Sequence, residues 1–196
     1  MSEAVTIQEL EHRMRPGQYS KGGFLGLNES LEVVIAQDEQ TLENFGISHE
    51  QIAGTLETII AAVHEQEKVL PFDKFREKHT DFPDLYHPEK NPVFSKDNLP
   101  SPQKGYLVDC FQVFILQYRG FQGCPWDECG EVGGFDFLIL NRNTGESFTA
   151  PALIIHLIRA HHFYEGVDSP YRVDPEKVIR TLEISQNNKQ ANTACT

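Results

Sequence analysis

Two cysteines and two histidines restrict what this chain can fold into more than any other feature of it. Cys124 and Cys129 stand in GCPWDECG (123–130), and His156 and His161 in LIIHLIRAHH (153–162). The spacing is Cys-x4-Cys, then 26 residues, then His-x4-His. Each pair is a local chelate, and zinc prefers four nitrogen or sulfur donors in a tetrahedron, which two such pairs supply. A proline after the first cysteine and a glycine after the second leave backbone N–H groups free to donate to thiolates, and Gly123 and Gly130 suit such a loop. If the four donors meet, a loop and a later helix are stapled together, and the chain between them must turn back on itself.

The intervening residues are suited to that return. FDFLILNRNTGESFTA (135–150) places two apolar stretches around Asn141-Arg142-Asn143-Thr144-Gly145, where Asn and Gly tolerate the positive backbone angles of a hairpin. Just before the cysteine loop, YLVDCFQVFILQY (106–118) is rich in β-branched and aromatic residues and reads as one long buried strand, with Cys110 as part of the core. After the hairpin, Thr149-Ala150-Pro151 reads as a helix start with Thr149 as N-cap, and the helix runs on toward Gly166. At about 100° per residue, His156 and His161 stand roughly 140° apart on an ideal helix, so their convergence requires the last turn to tighten or unwind. His162 is the alternative ligand. Asp174-Pro175-Glu176 opens a final short helix to about Ile184, and residues 185–196 read as a disordered polar tail that holds Cys195.

The first seventy residues read as helical. Leu31, Val34, Ile35, Asp38 and Leu42 recur near helical spacing, and Ser48 with Gln51 forms a capping-box signature ahead of Ile52, Leu56, Ile59, Ile60 and Val63. The glycines at 17, 22, 23 and 26 have no phosphate-loop lysine after them, so they read as a loop that leads to a cap at Asn28 or Ser30. Between Pro71 and Pro102 lie six of the eleven prolines, with Phe72, Phe75, Phe82, Tyr86 and Phe94 among them. That mixture predicts an extended segment pinned to the core by its rings, with a short helix at 72–78. The expected organisation is an α+β protein. It has a helical part over 1–70, a proline-rich connection over 71–104, a small antiparallel sheet with a zinc-stapled helix over 105–184, and a tail over 185–196. All of these together are compatible with one domain.

Charge excludes one class of partner. The chain carries a formal net charge of −12, and residues 28–67 hold nine acidic side chains and no Lys or Arg. The helix-turn-helix-like stretch ENFGISHEQIAGTL (43–56) would therefore be repelled by DNA, and no nucleic-acid partner is expected. No apolar run approaches the roughly 20 residues of a membrane helix, and the N-terminus lacks secretory zoning, so the expected setting is the cytoplasm, away from membranes. There, close cysteines serve metal binding or catalysis rather than a disulfide.

Over residues 123–162 the chain resembles the treble-clef and related zinc fingers, in which a Cys-Pro-x-x-Cys-Gly knuckle, a hairpin and a helix close around one ion. The chain departs from that pattern by placing four residues between its cysteines and its histidines in the middle and end of the helix. The resemblance implies a structural zinc held by Cys124, Cys129, His156 and His161. Four protein ligands leave no open position for a reacting water, which points to a non-enzymatic protein that acts through protein or small-molecule contacts. Three competing readings stand beside it. One is a metal-free knuckle with packed thiols. Another is a metal-dependent hydrolase with Glu128, Glu131 or Glu165 as base and its pocket beside the zinc-site helix. The third is a Cys/His nucleophile, Cys124 with His161 or His162, oriented by Asp127 or Asp136. Arg172, between two prolines with Asp168 and Asp174 nearby, reads as an ion-pair partner of a neighbouring Asp or as an anion site. Arg13, Arg15, Tyr19 and Lys21 form a second small basic spot.

Overall fold

A computed structural model describes residues 6–71, 74, 78, 94–126 and 129–186. Its elements are α1 (Ile7–Met14), α2 (Leu31–Phe45), α3 (His49–Lys68), β1 (Tyr106–Val108), β2 (Phe111–Gly123), β3 (Val132–Asn141), β4 (Ser147–Pro151), α4 (Ile154–His161) and α5 (Pro175–Leu182). The architecture is α+β, with helices first and an antiparallel four-stranded sheet in the order β1-β2-β3-β4 in the C-terminal half.

The helices start where local chemistry satisfies their free N–H groups. α1 opens on a capping box between Thr6 and Glu9, and α3 on the expected box between Ser48 and Gln51. α2 follows Ser30, but that hydroxyl makes no capping bond; the Leu31 N–H donates instead to Glu11 of α1 at 2.7 Å. Gly46, at φ +65°, ends α2 in the left-handed conformation and turns the chain into α3. Ile52, Leu56, Ile59, Ile60 and Val63 are buried along α3, as their spacing predicts. Asp174 caps α5 by accepting from the Lys177 N–H at 2.9 Å, with Pro175 in the first turn.

Two strand boundaries differ from the sequence reading. The stretch from Tyr106 does not form one strand: Val108 pairs with Phe111 across a tight turn, with Asp109 at φ +52°, so β1 folds back on β2. Asp tolerates this left-handed backbone, and its small polar side chain is what the periodicity hides. Thr149 is not a helix cap but lies within β4, paired with Leu138, and α4 begins only at Ile154. Phe148 and Ala150 are buried in that strand, so completing the ladder wins over the local helix-start pattern. α4 also stops at His161, with His162 left-handed at φ +54°, well short of Gly166. The hairpin between β3 and β4 is as expected: Gly145 has φ +81°, and the Asn141 side chain accepts from the Asn143 and Thr144 N–H groups.

One hydrophobic cluster draws on all five described helices and on one face of the sheet, including Met14, Phe24, Leu56, Tyr106, Phe137, Leu157, Tyr164 and Leu182. A smaller cluster of Phe114, Leu138 and Leu140 has Phe94 and Leu99 packed against it. Phe94 is thus the ring of the proline-rich segment that is seen to pack, while Phe72, Phe75, Phe82, Tyr86, the bulk of the expected 72–78 helix and residues 187–196 lie outside the described residues. Asp38, set in the apolar stripe of α2, is buried and paired with Arg172 through two contacts of 2.5 and 2.7 Å. Arg172 therefore meets a distant Asp rather than Asp168 or Asp174, and it also donates to the Glu165 carbonyl at 2.6 Å.

Candidate metal centre

β2 delivers the chain into the cysteine loop, and the Cys124 N–H donates to the Glu131 carbonyl at 2.8 Å, which closes the loop's base. The Cys129 N–H donates to the Trp126 carbonyl at 3.3 Å, and Gly130, at φ +65°, turns the chain out toward β3. Helix α1 braces this loop, because Arg13 donates to the Pro125 carbonyl at 3.0 Å. Gly123 contributes space: a Cβ there would lie 2.5 Å from the Tyr19 hydroxyl oxygen.

β3 and β4 then carry the chain to α4, whose third and last residues are His156 and His161. The last turn of this helix is loosened. The Leu157 carbonyl receives the N–H groups of both His162 and Phe163, five and six residues on, where an α-turn would use residue 161. A wider turn brings residues five apart closer to one face, which is how the two histidines escape the angle an ideal helix would impose. One donor atom from each of Cys124, Cys129, His156 and His161 lies within 4.8 Å of every other. His161 Nε2 is 3.4 Å from Cys124 Sγ and 3.1 Å from Cys129 Sγ. A tetrahedron with zinc–sulfur and zinc–nitrogen bonds of about 2.3 and 2.0–2.1 Å separates its S and N corners by about 3.6 Å, so the cluster is close to the size of one ion's shell.

The surroundings suit that occupant. His156 Nε2 is buried and has no hydrogen-bond partner. A buried ring nitrogen left so costs free energy unless something fills its valence. Trp126 stacks on His161 at 3.8 Å between centroids and 4° between planes, and meets Phe163 edge-on, roofing the cluster with apolar surface. Burial pushes the Cys124 thiol up to about 12; the Trp126 N–H works against this, and neighbouring Cys129 adds to it. Burial, with His156 and His162 nearby, lowers His161 to about 4. Burial thus favours the neutral thiol of Cys124 and the neutral imidazole of His161, and a divalent cation would supply the charge that favours thiolate.

His162 does not join them. It stacks on His49 at 4.0 Å and 12° beside Glu39, whose carboxylate lies 2.7 Å from His49 Nε2 and is held below its ordinary range by that contact. Glu39, His49 and His162 also offer donor atoms within 4.8 Å of one another. Their geometry is wrong for a shared ion, since the lone pairs of two parallel stacked imidazoles lie in separate parallel planes and do not point at one position. The group reads as a hydrogen-bonded tie among α2, α3 and the end of α4, with Tyr164 on the other ring nitrogen of His49 at 3.2 Å.

Comparison with family models, curated proteins and solved structures gives no match to this chain.

The remaining expected site residues are dispersed. Among the described residues no carboxylate belongs to the Cys2His2 group. Glu131 is exposed and serves the loop through its carbonyl, Glu165 is buried on Ser169 at 2.6 Å, Asp136 lies in a separate cavity, and Asp127 and Glu128 fall outside the described residues. Arg15 donates to the Gly26 and Glu29 carbonyls, so it and Arg13 fasten loops rather than converge on an anion. Sequence reasoning missed the Trp126 roof, whereas the loosened last turn is the departure that the 140° separation of His156 and His161 called for. The single tryptophan set between the two cysteines was the available signal for that roof.

Proposed function

We propose that this chain is a zinc-stapled protein in which Cys124, Cys129, His156 and His161 hold one structural ion in an arrangement that resembles a treble clef. The observation that carries the reading is that one donor atom from each of the four side chains lies within 4.8 Å of every other, with a buried His156 nitrogen left without a hydrogen-bond partner beside it. Zinc suits a mixed thiolate and imidazole set, and four protein ligands leave no position for a reacting water. The ion would fasten the β2–β3 loop to α4 and so fix the C-terminal half, leaving function to surface or cavity contacts with a protein or small molecule. Two free thiols kept for a metal fit a reducing compartment, which supports a cytoplasmic setting. Among the described residues no helix is long and apolar enough to cross a membrane.

Elemental analysis of purified protein tests the reading directly: one zinc per chain is expected, and none in Cys124→Ser. Circular dichroism then separates staple from catalyst. Loss of the C-terminal fold in that variant marks the ion as structural, whereas an intact fold with zinc still bound through three ligands and a water would overturn the reading.

A further inference from the structure

The two sulfurs of the cluster lie close to each other as well as to the histidines. Cys124 and Cys129 are free thiols, their Sγ atoms are within 4.8 Å, and both reach the same nitrogen, His161 Nε2, at 3.4 and 3.1 Å. They also share one short loop. Its ends are fastened to each other, because Gly123 and Val132 are paired across β2 and β3 and the Cys124 N–H donates to the Glu131 carbonyl at 2.8 Å. A disulfide needs sulfurs about 2.05 Å apart on Cβ atoms about 3.5–4.5 Å apart, and thiols that start this near close the gap chiefly by side-chain rotation.

The two thiols are unequal in access. Cys124 is 7% exposed, whereas Cys129 is only partly buried. A small oxidant therefore meets Cys129 first and finds Cys124 behind it, the arrangement of a reacting thiol with a resolving one. The two halves of the cluster are also anchored apart. α4 is held by buried Ile154, Leu157 and Ile158 and by Arg159, which donates to Glu50 of α3 at 3.0 Å and to Glu57 at 2.9 Å. The loop is held by the strand pair beneath it and by Arg13 of α1 on the Pro125 carbonyl. None of these anchors passes through a sulfur, so the cysteines can change partner while α4 stays in the core.

We propose that Cys124 and Cys129 form a redox modification site whose substrate is a peroxide, and that their oxidation to one disulfide releases the zinc. The inference rests on the metal reading above, since a zinc-bound sulfur is a thiolate, the nucleophilic form. The Cys129 thiolate attacks a peroxide oxygen, the O–O bond breaks, and hydroxide leaves and is protonated to water, so that the sulfur becomes a sulfenic acid. The Cys124 thiolate then attacks that sulfur. An S–S bond forms as the S–O bond breaks, and a second hydroxide leaves as water. Two thiolates, one hydrogen peroxide and two solvent protons thus give one disulfide and two waters, with two electrons passed from sulfur to oxygen. A disulfide sulfur offers the ion no thiolate, and His156 and His161 alone make half of a tetrahedral shell. In a reducing compartment such a bond is transient, which suits sensing rather than structure.

Treatment of the full, reduced, zinc-loaded chain with hydrogen peroxide tests it, with released zinc read by a chromogenic indicator, thiols counted in parallel, and the products located by peptide mass mapping. One zinc released and two thiols lost per chain, with a shared time course and a mapped Cys124–Cys129 disulfide, is the expected result, and a thiol reductant with added zinc should restore both. Zinc that stays bound throughout the treatment would overturn the inference while leaving the metal reading intact. So would zinc that leaves with the two cysteines carried to sulfinic acid, or joined to Cys110 or Cys195 instead of to each other. A reduced chain that holds no zinc before peroxide is added would overturn the metal reading and this inference with it.

Discussion

Trp126 is the side chain that reports on the Cys2His2 cluster. Its ring lies 3.8 Å from the His161 ring and is the only indole in the chain, so its emission reads that one place. With the proposed zinc bound, a chelator is expected to shift or quench this emission in the parent and to leave it unchanged in a His161→Ala variant; stopped-flow fluorescence checks it. Glu165 makes a prediction of a different kind. Its folded carboxyl is raised from an ordinary value to about 8, chiefly by burial, with Asp136 adding to the effect. An acid whose folded value is raised binds its proton more tightly folded than unfolded. Its stabilising contribution is therefore complete below the ordinary carboxylate range and lost as pH climbs to about 8. Urea melts should show stability falling between about pH 5 and 8, and Glu165→Gln should flatten most of that slope, leaving the smaller part that Asp136 supplies below about 7.

At the scale of elements, α2 is joined to the segment between α4 and α5 by one buried ion pair. Burial pushes Asp38 upward while Arg172 pulls it down, so the carboxylate depends on its partner. Arg172→Met is expected to cost about 3–5 kcal/mol, because it leaves a buried charge uncompensated, whereas the double change with Asp38→Leu should recover most of the loss. Chemical denaturation of the two single variants and the double variant measures this coupling. The ion pair also shows where pattern reading falls short. Asp38 occupies a core position in α2, and its partner lies 134 residues away in a turn that sequence alone pairs with Asp168 or Asp174. The misplaced helix start at Thr149 has the same origin: a Thr-x-Pro step favours a cap, yet five residues of β4 complete the ladder with β3 and bury Phe148 and Ala150.

At the scale of the molecule, the Cys2His2 cluster depends on how closely α4 approaches the sheet. Gly133 permits that approach, since any side chain there would meet the Leu153 backbone just ahead of the helix. Gly133→Ala should therefore destabilise the fold by about 1–3 kcal/mol and also weaken zinc binding, because the histidines would move away from the cysteine loop together with their helix. Gly54→Ala is the control. A Cβ on that face of α3 meets only a Glu50 carboxylate oxygen at 3.7 Å, and removing a helical glycine should stabilise by about 0.5–1 kcal/mol. Thermal melts with zinc titrations on both variants separate a general loss of stability from a displaced site.

Where neighbours a few residues apart decide the outcome, the sequence was sufficient. The Ser48 box, the Asn141–Gly145 hairpin and the Asp174-Pro175 helix start all rest on bonds spanning a single turn, and the Cys124/Cys129 and His156/His161 pairs are visible as close spacings. Whether those pairs would face one another was beyond it, because the meeting point of side chains 26 residues apart is set by the path of β3 and β4 and by a widened turn in α4. Tertiary structure likewise sent His162 toward His49 instead of the sulfurs, gave Arg172 to Asp38, and opened a cavity over Asp136 where two strands fall out of register. Each of these outcomes is a competition among distant groups for the same space and charge, and local propensity carries no information about distant competitors.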